Sequence, residues 1–166
     1  MRVSTYSKEH QFVLLFILIV GFIVRVAFTN SEITIDEAES LNHYTLNWQL
    51  ANSSYDDPNN HLLNTVFLYI LRLIFGVNTF ALRLHVLIIG SLIPFLSYVI
   101  GHLYYDKRVG LVAASLSATA PLLIFYSAVA RGYIIQTGLF LILIILSYEI
   151  IKRNNLFAWF LFIVIT

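Results

Sequence analysis

Apolar residues occur along this chain in long blocks, each closed by a short polar stretch. The blocks cover residues 11–28, 80–104, 109–126, 133–151 and 156–166. A helix of about 20 apolar residues crosses the ~30 Å hydrocarbon core of a bilayer. The pattern therefore predicts an all-α integral membrane protein with about five transmembrane helices. The last block, "LFAWFLFIVIT", has no polar flank after it, so we expect an incomplete fifth span and a chain that is part of something longer. No A-x-A-like cleavage site follows "RVAFTN", and the first block reads as a retained signal-anchor.

One further segment, "LLNTVFLYILRLIF" at 62–75, is apolar but short. Its 14 residues make a helix about 21 Å long at 1.5 Å per residue, and it carries Asn64, Thr65 and Arg72. If it does not cross, then Arg2, Lys8, Lys107, Arg108, Lys152 and Arg153 all face one side, as the positive-inside rule prefers. The segment is accordingly expected as an interfacial helix at the outer face. The amino terminus is then cytoplasmic, and residues 29–79 form an extracytoplasmic first loop.

Composition agrees with the pattern. Hydrophobic residues make up 59% and charged residues 11% of the 166 positions, and the mean hydropathy is +0.82. Soluble domains carry roughly 25% charged residues. The net charge is +1 and the basic residues are scattered, which gives no nucleic-acid footprint. Absence of Cys excludes disulfides and thiolate metal sites.

Against this background "SEITIDEAESLNHY" stands out. Glu32, Asp36, Glu37 and Glu39 fall within eight positions, and apart from Arg72 the 29–79 loop holds six carboxylates and no Lys or Arg. "TIDE" has the form of a capping box, with Thr34 at the N-cap and Glu37 three residues on. A helix is expected from about Ile35 through Trp48, with Asp36 in the first turn, where the helix dipole favours its ionised form. Asp36, Ser40 and His43 then share one face, and Glu39 and His43 stand four apart, a spacing able to hold a metal, although no third ligand is evident. Capping and dipole complementarity also explain Glu37 and Asp36 without any chemistry. Further on, Asp57-Pro58 signals a turn, Asn59 or Asn60 is the expected cap of the 62–75 helix, and Asn52-Ser53-Ser54 matches a glycosylation sequon.

The outer ends of the later blocks carry Arg83, His85, Arg131 and Tyr133. Arg83 reads as a snorkelling or structurally paired residue. Arg131, in "YSAVARGY", lies on a short outer turn, where its fork can donate two parallel hydrogen bonds to a phosphate, with Gln136 nearby as a further donor. Ala113, Ala114, Ser117 and Ala118 read as helix-packing positions. Pro94 and Pro121 are expected to kink their helices.

A first span, an outer loop opening with "DE", an interfacial helix and the block "LRLIFGVNTFALRLHVLIIGSLIPFLSYVIGHLYYDKRVGLVAASLSATAPLLIFYSAVARGY" follow one another in order. Over roughly residues 10–155 this resembles the amino-terminal part of membrane GT-C glycosyltransferases, most of all the prokaryotic group related to aminoarabinose transferases and protein O-mannosyltransferases. The resemblance implies transfer of a sugar from a polyprenyl-phosphate-linked donor to a glycan, lipid or protein acceptor at the extracytoplasmic face of a plasma membrane. It implies Asp36 as general base or metal holder, with Glu37 as its neighbour. It places His61 where relatives carry "HPP" or "KPP" near the donor phosphate, although "HLL" stands here. Arg131 and Tyr133 match a motif often written "EAR-x-Y", with Val129 in the position of its Glu. A divalent metal is compatible with this picture but not required by it. Two other readings stay open: a non-catalytic membrane anchor or assembly subunit, and a transporter fragment with an acidic outer vestibule.

Overall fold

The computed structural model describes residues 2–53 and 60–166. Among them every regular element is helical, and no strand occurs. In chain order the elements are α1 (Arg2–Phe28), α2 (Ile35–Glu39), a π-turn (Ser40–Tyr44), α3 (Trp48–Ser53), α4 (Leu62–Phe75), α5 (Thr79–Leu82), α6 (Leu84–Tyr104), α7 (Lys107–Thr119), α8 (Pro121–Tyr126), α9 (Tyr133–Arg153) and α10 (Leu156–Ile165). Among the described residues, three stretches are long and apolar enough to cross a membrane: Lys8–Phe28, Leu84–Tyr104 and Tyr133–Arg153.

The block expected at 109–126 is not one helix. Ala120 takes an extended conformation, φ −64° and ψ 119°, which ends α7, and Pro121 opens α8. The proline ring clashes with a helical residue before it, so the chain breaks there instead of bending. Pro94, in contrast, lies inside the unbroken α6. At the carboxyl end, α10 is a ten-residue helix.

The described chain forms two compact units. One contains residues 1–23, 91–120 and 136–166; the other contains 24–90 and 121–135. In the first unit, Asp106 caps α7 by accepting from the Arg108 and Val109 amides at 2.7 and 2.9 Å. The hairpin that it closes is tight. A Cβ on Gly101 would lie 2.8 Å from the Gly110 Cα and 2.9 Å from its nitrogen, so α6 and α7 touch backbone to backbone. Gly110, Ala114 and Ala118 form the buried stripe of α7, the small-residue packing by which membrane helices approach closely. Tyr104 packs edge-on against Tyr148 at 5.2 Å.

The second unit is built around Leu41, Leu68, Leu82 and Ala130, with Leu71 against them. Here α4 has a reversed amphipathicity. It buries Asn64, Thr65 and Leu68 and exposes Leu63, Ile70, Leu73, Ile74 and Phe75. Its carboxyl end is closed by Gly76, whose φ of 67° suits a residue without Cβ, with the Gly76 amide donating to the Arg72 carbonyl at 2.9 Å. The helix expected from Ile35 to Trp48 is instead three pieces. After Glu39 the ladder widens into the π-turn, and Arg72 donates from Nη1 to the Leu41 carbonyl and Thr45 Oγ1, both at 2.8 Å. Those acceptors lie within the π-turn and just after it, and α3 starts afresh at Trp48.

We predict that Gly101→Ala lowers stability by about 1–3 kcal/mol, the usual cost of forced overpacking. Chemical unfolding of the full chain in detergent micelles checks this, and an unchanged midpoint would show that α7 yields without cost.

Candidate functional site

Thr34 has the extended backbone of an N-cap, and the capping box is complete. The Glu37 amide donates to Thr34 Oγ1 at 3.3 Å, and the Thr34 amide donates to Glu37 Oε2 at 3.0 Å. The box aims the Glu37 carboxylate inward, where Arg83 meets it. Arg83 follows α5, whose own N-cap Asn78 accepts from the Ala81 amide at 2.9 Å. Its guanidinium is 1% exposed, and the Glu37 carboxylate 2%. Arg83 Nε and Nη2 donate to Glu37 Oε1 and Oε2 at 2.9 and 2.8 Å. The other N–H groups reach the carbonyls of Thr29 and Ser31, both at 2.8 Å, and of Glu32 at 3.0 Å. All five donors of the guanidinium therefore have an acceptor. Arg83 is a structural pairing residue that gathers the 29–32 segment and α2.

Glu37 has one more partner. Its Oε1 accepts from the Ala130 amide at 2.7 Å. Burial pushes the Glu37 carboxyl up, yet the hydrogen bonds from Arg83, Ala130 and Thr34 and the Arg83 charge outweigh it and hold the group below the usual carboxylate range. The Ala130 carbonyl is held from the other side by Asn64 Nδ2 at 3.0 Å, and the Arg131 amide closes a tight turn onto the Val129 carbonyl at 2.7 Å. Residues 127–131 are all buried.

This clamped turn fixes Arg131, itself 3% exposed. Arg131 Nη2 lies 3.5 Å from Asp36 Oδ2, on a side chain that is 53% exposed. Its guanidinium carbon sits 5.7 Å from the centre of the Tyr133 ring, and that ring meets His61 edge-on at 4.8 Å. His61 immediately precedes α4 and packs over Gly132. A Cβ there would come within 2.6 Å of the His61 Cβ, so glycine leaves the imidazole its place. Burial, and then the Arg131 charge, hold the His61 pKa below its ordinary value. The ring is therefore neutral near pH 7, and its buried Nε2 has no hydrogen-bond partner among the described residues.

The structure thus brings together Asp36, His61, Arg131 and Tyr133, drawn from three separate stretches of chain. Glu37 lies one layer beneath, with both oxygens engaged. The expected face of Asp36, Ser40 and His43 does not form, because the π-turn buries Ser40 and leaves His43 exposed. Glu39 and His43 line a shallow groove with Ile35, Ala38, Asn42 and Tyr44. Among the described residues no three His, Cys, Asp or Glu side chains converge as metal ligands. Where the resemblance expects a second carboxylate, Val129 is 2% exposed and apolar.

Asn60 is not the side-chain cap of α4. His61 occupies the N-cap position without capping, and Asn60 Oδ1 accepts from Thr65 Oγ1 at 2.6 Å. Asn59, the Asp57-Pro58 turn and the end of the Asn52-Ser53-Ser54 sequon lie outside the described residues. Gln136 is exposed on α9 and belongs to the other unit. Two contributors escaped the sequence reading. Asn64 was noticeable only as an amide within an apolar helix. Arg25, fully buried in α1, donates to Ser127 Oγ at 3.1 Å; a charge inside "GFIVRVAF" was its signal. No protein-family model, curated protein or solved structure matches this chain.

Removing either partner of the Glu37–Arg83 pair leaves a buried charge uncompensated. Arg83→Met and Glu37→Gln are each expected to cost about 3–5 kcal/mol. Because the folded-state pKa of Glu37 is depressed, the unfolded chain binds its proton more readily and stability rises with pH. The pair's contribution is complete above the ordinary glutamate range, near ~4.3, and fades as pH falls through the lower folded value. The stability gap between wild type and Glu37→Gln, measured across acid pH, should therefore narrow as the solution is acidified.

Proposed function

We propose that this chain is the amino-terminal part of a GT-C type glycosyltransferase that uses a polyprenyl-phosphate-linked sugar at the extracytoplasmic face of a plasma membrane. The observation that carries this reading is the pairing of an exposed carboxylate with a buried guanidinium, Asp36 and Arg131, at 3.5 Å. Sugar transfer needs a base for the acceptor hydroxyl and donors for the departing phosphate. As the acceptor oxygen bonds to the anomeric carbon, the bond from that carbon to the phosphate oxygen breaks. The hydroxyl proton goes to Asp36, and the phosphate keeps the electron pair. Arg131 stabilises the charge that gathers on the phosphate, and neutral His61 offers a hydrogen bond without adding a second cation. Tyr133 supports both groups with its ring. Glu37 serves the fold of the site, with its oxygens already occupied.

A divalent metal is not built into this reading. Glu37 has no lone pair to spare, Val129 brings no ligand, and Asp36 shares its place with a guanidinium. The three long apolar helices and the lipid-seeking face of α4 support a multi-pass membrane protein with α4 at the interface. In this reading the broken 109–126 block and α10 complete about five spans, and the partners are membrane lipids, the lipid-linked donor and a glycan, lipid or protein acceptor.

Transfer is tested with a radiolabelled polyprenyl-phosphate sugar and the protein reconstituted in vesicles. Asp36→Asn should slow turnover by about 10²- to 10⁴-fold, the worth of a general base. Arg131→Lys should lose the two-pronged grip and raise the KM for the donor. A wild-type rate in Asp36→Asn would discard the enzyme reading in favour of an anchor. Topology has a separate test, helped by the absence of native Cys. Glu39→Cys should react with an impermeant thiol reagent added outside intact cells, and a cysteine beside Lys107 should not.

A further inference from the structure

The Ala130 carbonyl belongs to the peptide that also carries the Arg131 nitrogen, so whatever holds that carbonyl sets the base of the Arg131 side chain. The holder is Asn64 Nδ2 at 3.0 Å. A carbonyl can only accept, which fixes the Asn64 amide with its nitrogen toward Ala130 and its oxygen turned away. That oxygen lies 2.8 Å from His85 Nε2. An amide oxygen also only accepts, so the proton must be on His85 Nε2. His85 is 7% exposed at the start of α6, and Phe67 stacks on it at 5.5 Å with planes 20° apart. The imidazole is thus held flat and in one tautomer. A directional relay runs from His85 Nε2–H to Asn64 Oδ1, and from Asn64 Nδ2–H to Ala130 O.

We infer that Asn64, with its amide orientation set by His85, is a positioning residue for Arg131. Without a donor at the His85 position the Asn64 amide can turn over and present oxygen to the Ala130 carbonyl. The Arg131 turn would then lose this bond on its own peptide and keep the one from Glu37 on the preceding peptide. The consequence for donor binding rests on the phosphate-holding role of Arg131 proposed above; the relay itself does not.

Two readouts separate these levels in the full chain reconstituted in lipid nanodiscs. The first is hydrogen exchange of the 128–132 amides, and the second is binding of a polyprenyl monophosphate. The variants are Asn64→Leu, His85→Leu and His85→Gln, whose amide nitrogen can replace the lost donor. Asn64→Leu and His85→Leu should speed exchange of this turn by about tenfold, the size of one lost buried hydrogen bond, leaving exchange in α9 unchanged. His85→Gln should stay within about twofold of wild type by the same measure, because the donor is kept. Nitrogen NMR should show His85 carrying a proton on Nε2. Polyprenyl monophosphate binding should weaken in parallel in the two Leu variants and recover in His85→Gln.

Unchanged exchange in both Leu variants, or a His85→Gln protein as perturbed as His85→Leu, overturns the relay. If exchange follows the prediction but Arg131→Leu binds the polyprenyl monophosphate like wild type, the relay stands and the phosphate role of Arg131 falls.

Discussion

The site depends on one buried ion pair. Arg83 places all five of its donors on Glu37 and on the carbonyls of Thr29, Ser31 and Glu32. Burying a guanidinium and a carboxylate is expensive unless every lone pair and proton is used, and here the remaining capacity of Glu37 is spent on the amides of Thr34 and Ala130. The capping box, the segment leaving α1 and the Arg131 turn are consequently parts of one network. Exchanging Glu37 for an isosteric amide would not merely remove a charge. It would place donors against the Arg83 guanidinium and the Ala130 amide.

Above this network the polar groups behave differently. Asp36 and Arg131 stand 3.5 Å apart with very unequal exposure, 53% and 4% of the side chain. The cation is anchored from below and the acid stands toward solvent, so a ligand approaching from outside meets the carboxylate first and the guanidinium behind it. His61 contributes neutral polarity, because burial and the Arg131 charge both disfavour its protonation.

Several elements were legible from local chemistry alone. The capping box needs only Thr34 and Glu37 three residues apart, and it formed as expected. The helix at 62–75 has the bounds that its apolar run marks out. Local chemistry also misled. The run from Ile35 to Trp48 has helical periodicity, but Arg72, from a distant helix, bonds the Leu41 carbonyl, and the ladder opens into a π-turn there. The block at 109–126 is mostly apolar, so hydropathy alone could not register that Ala120 must leave the helical region before Pro121; the proline itself suggested only a kink.

Sequence by itself determined the helical, membrane-like character of the chain, because apolar runs and caps act over a few residues. It also marked Asp36, His61, Arg131 and Tyr133 as candidates, through the resemblance of the motifs that contain them to those of a known family. Tertiary structure alone decided how the two neighbouring acids differ. Asp36 and Glu37 are adjacent and chemically alike, but successive residues on a helix point about 100° apart. That rotation sends Glu37 into Arg83, 46 residues away, and leaves Asp36 facing out beside Arg131. The assignment of Asn64 and His85 to the underside of the Arg131 turn belongs to the same category. Hydrogen bonds between residues 66 and 21 positions apart leave no trace in any local pattern, because only the folded chain brings their partners within 3 Å.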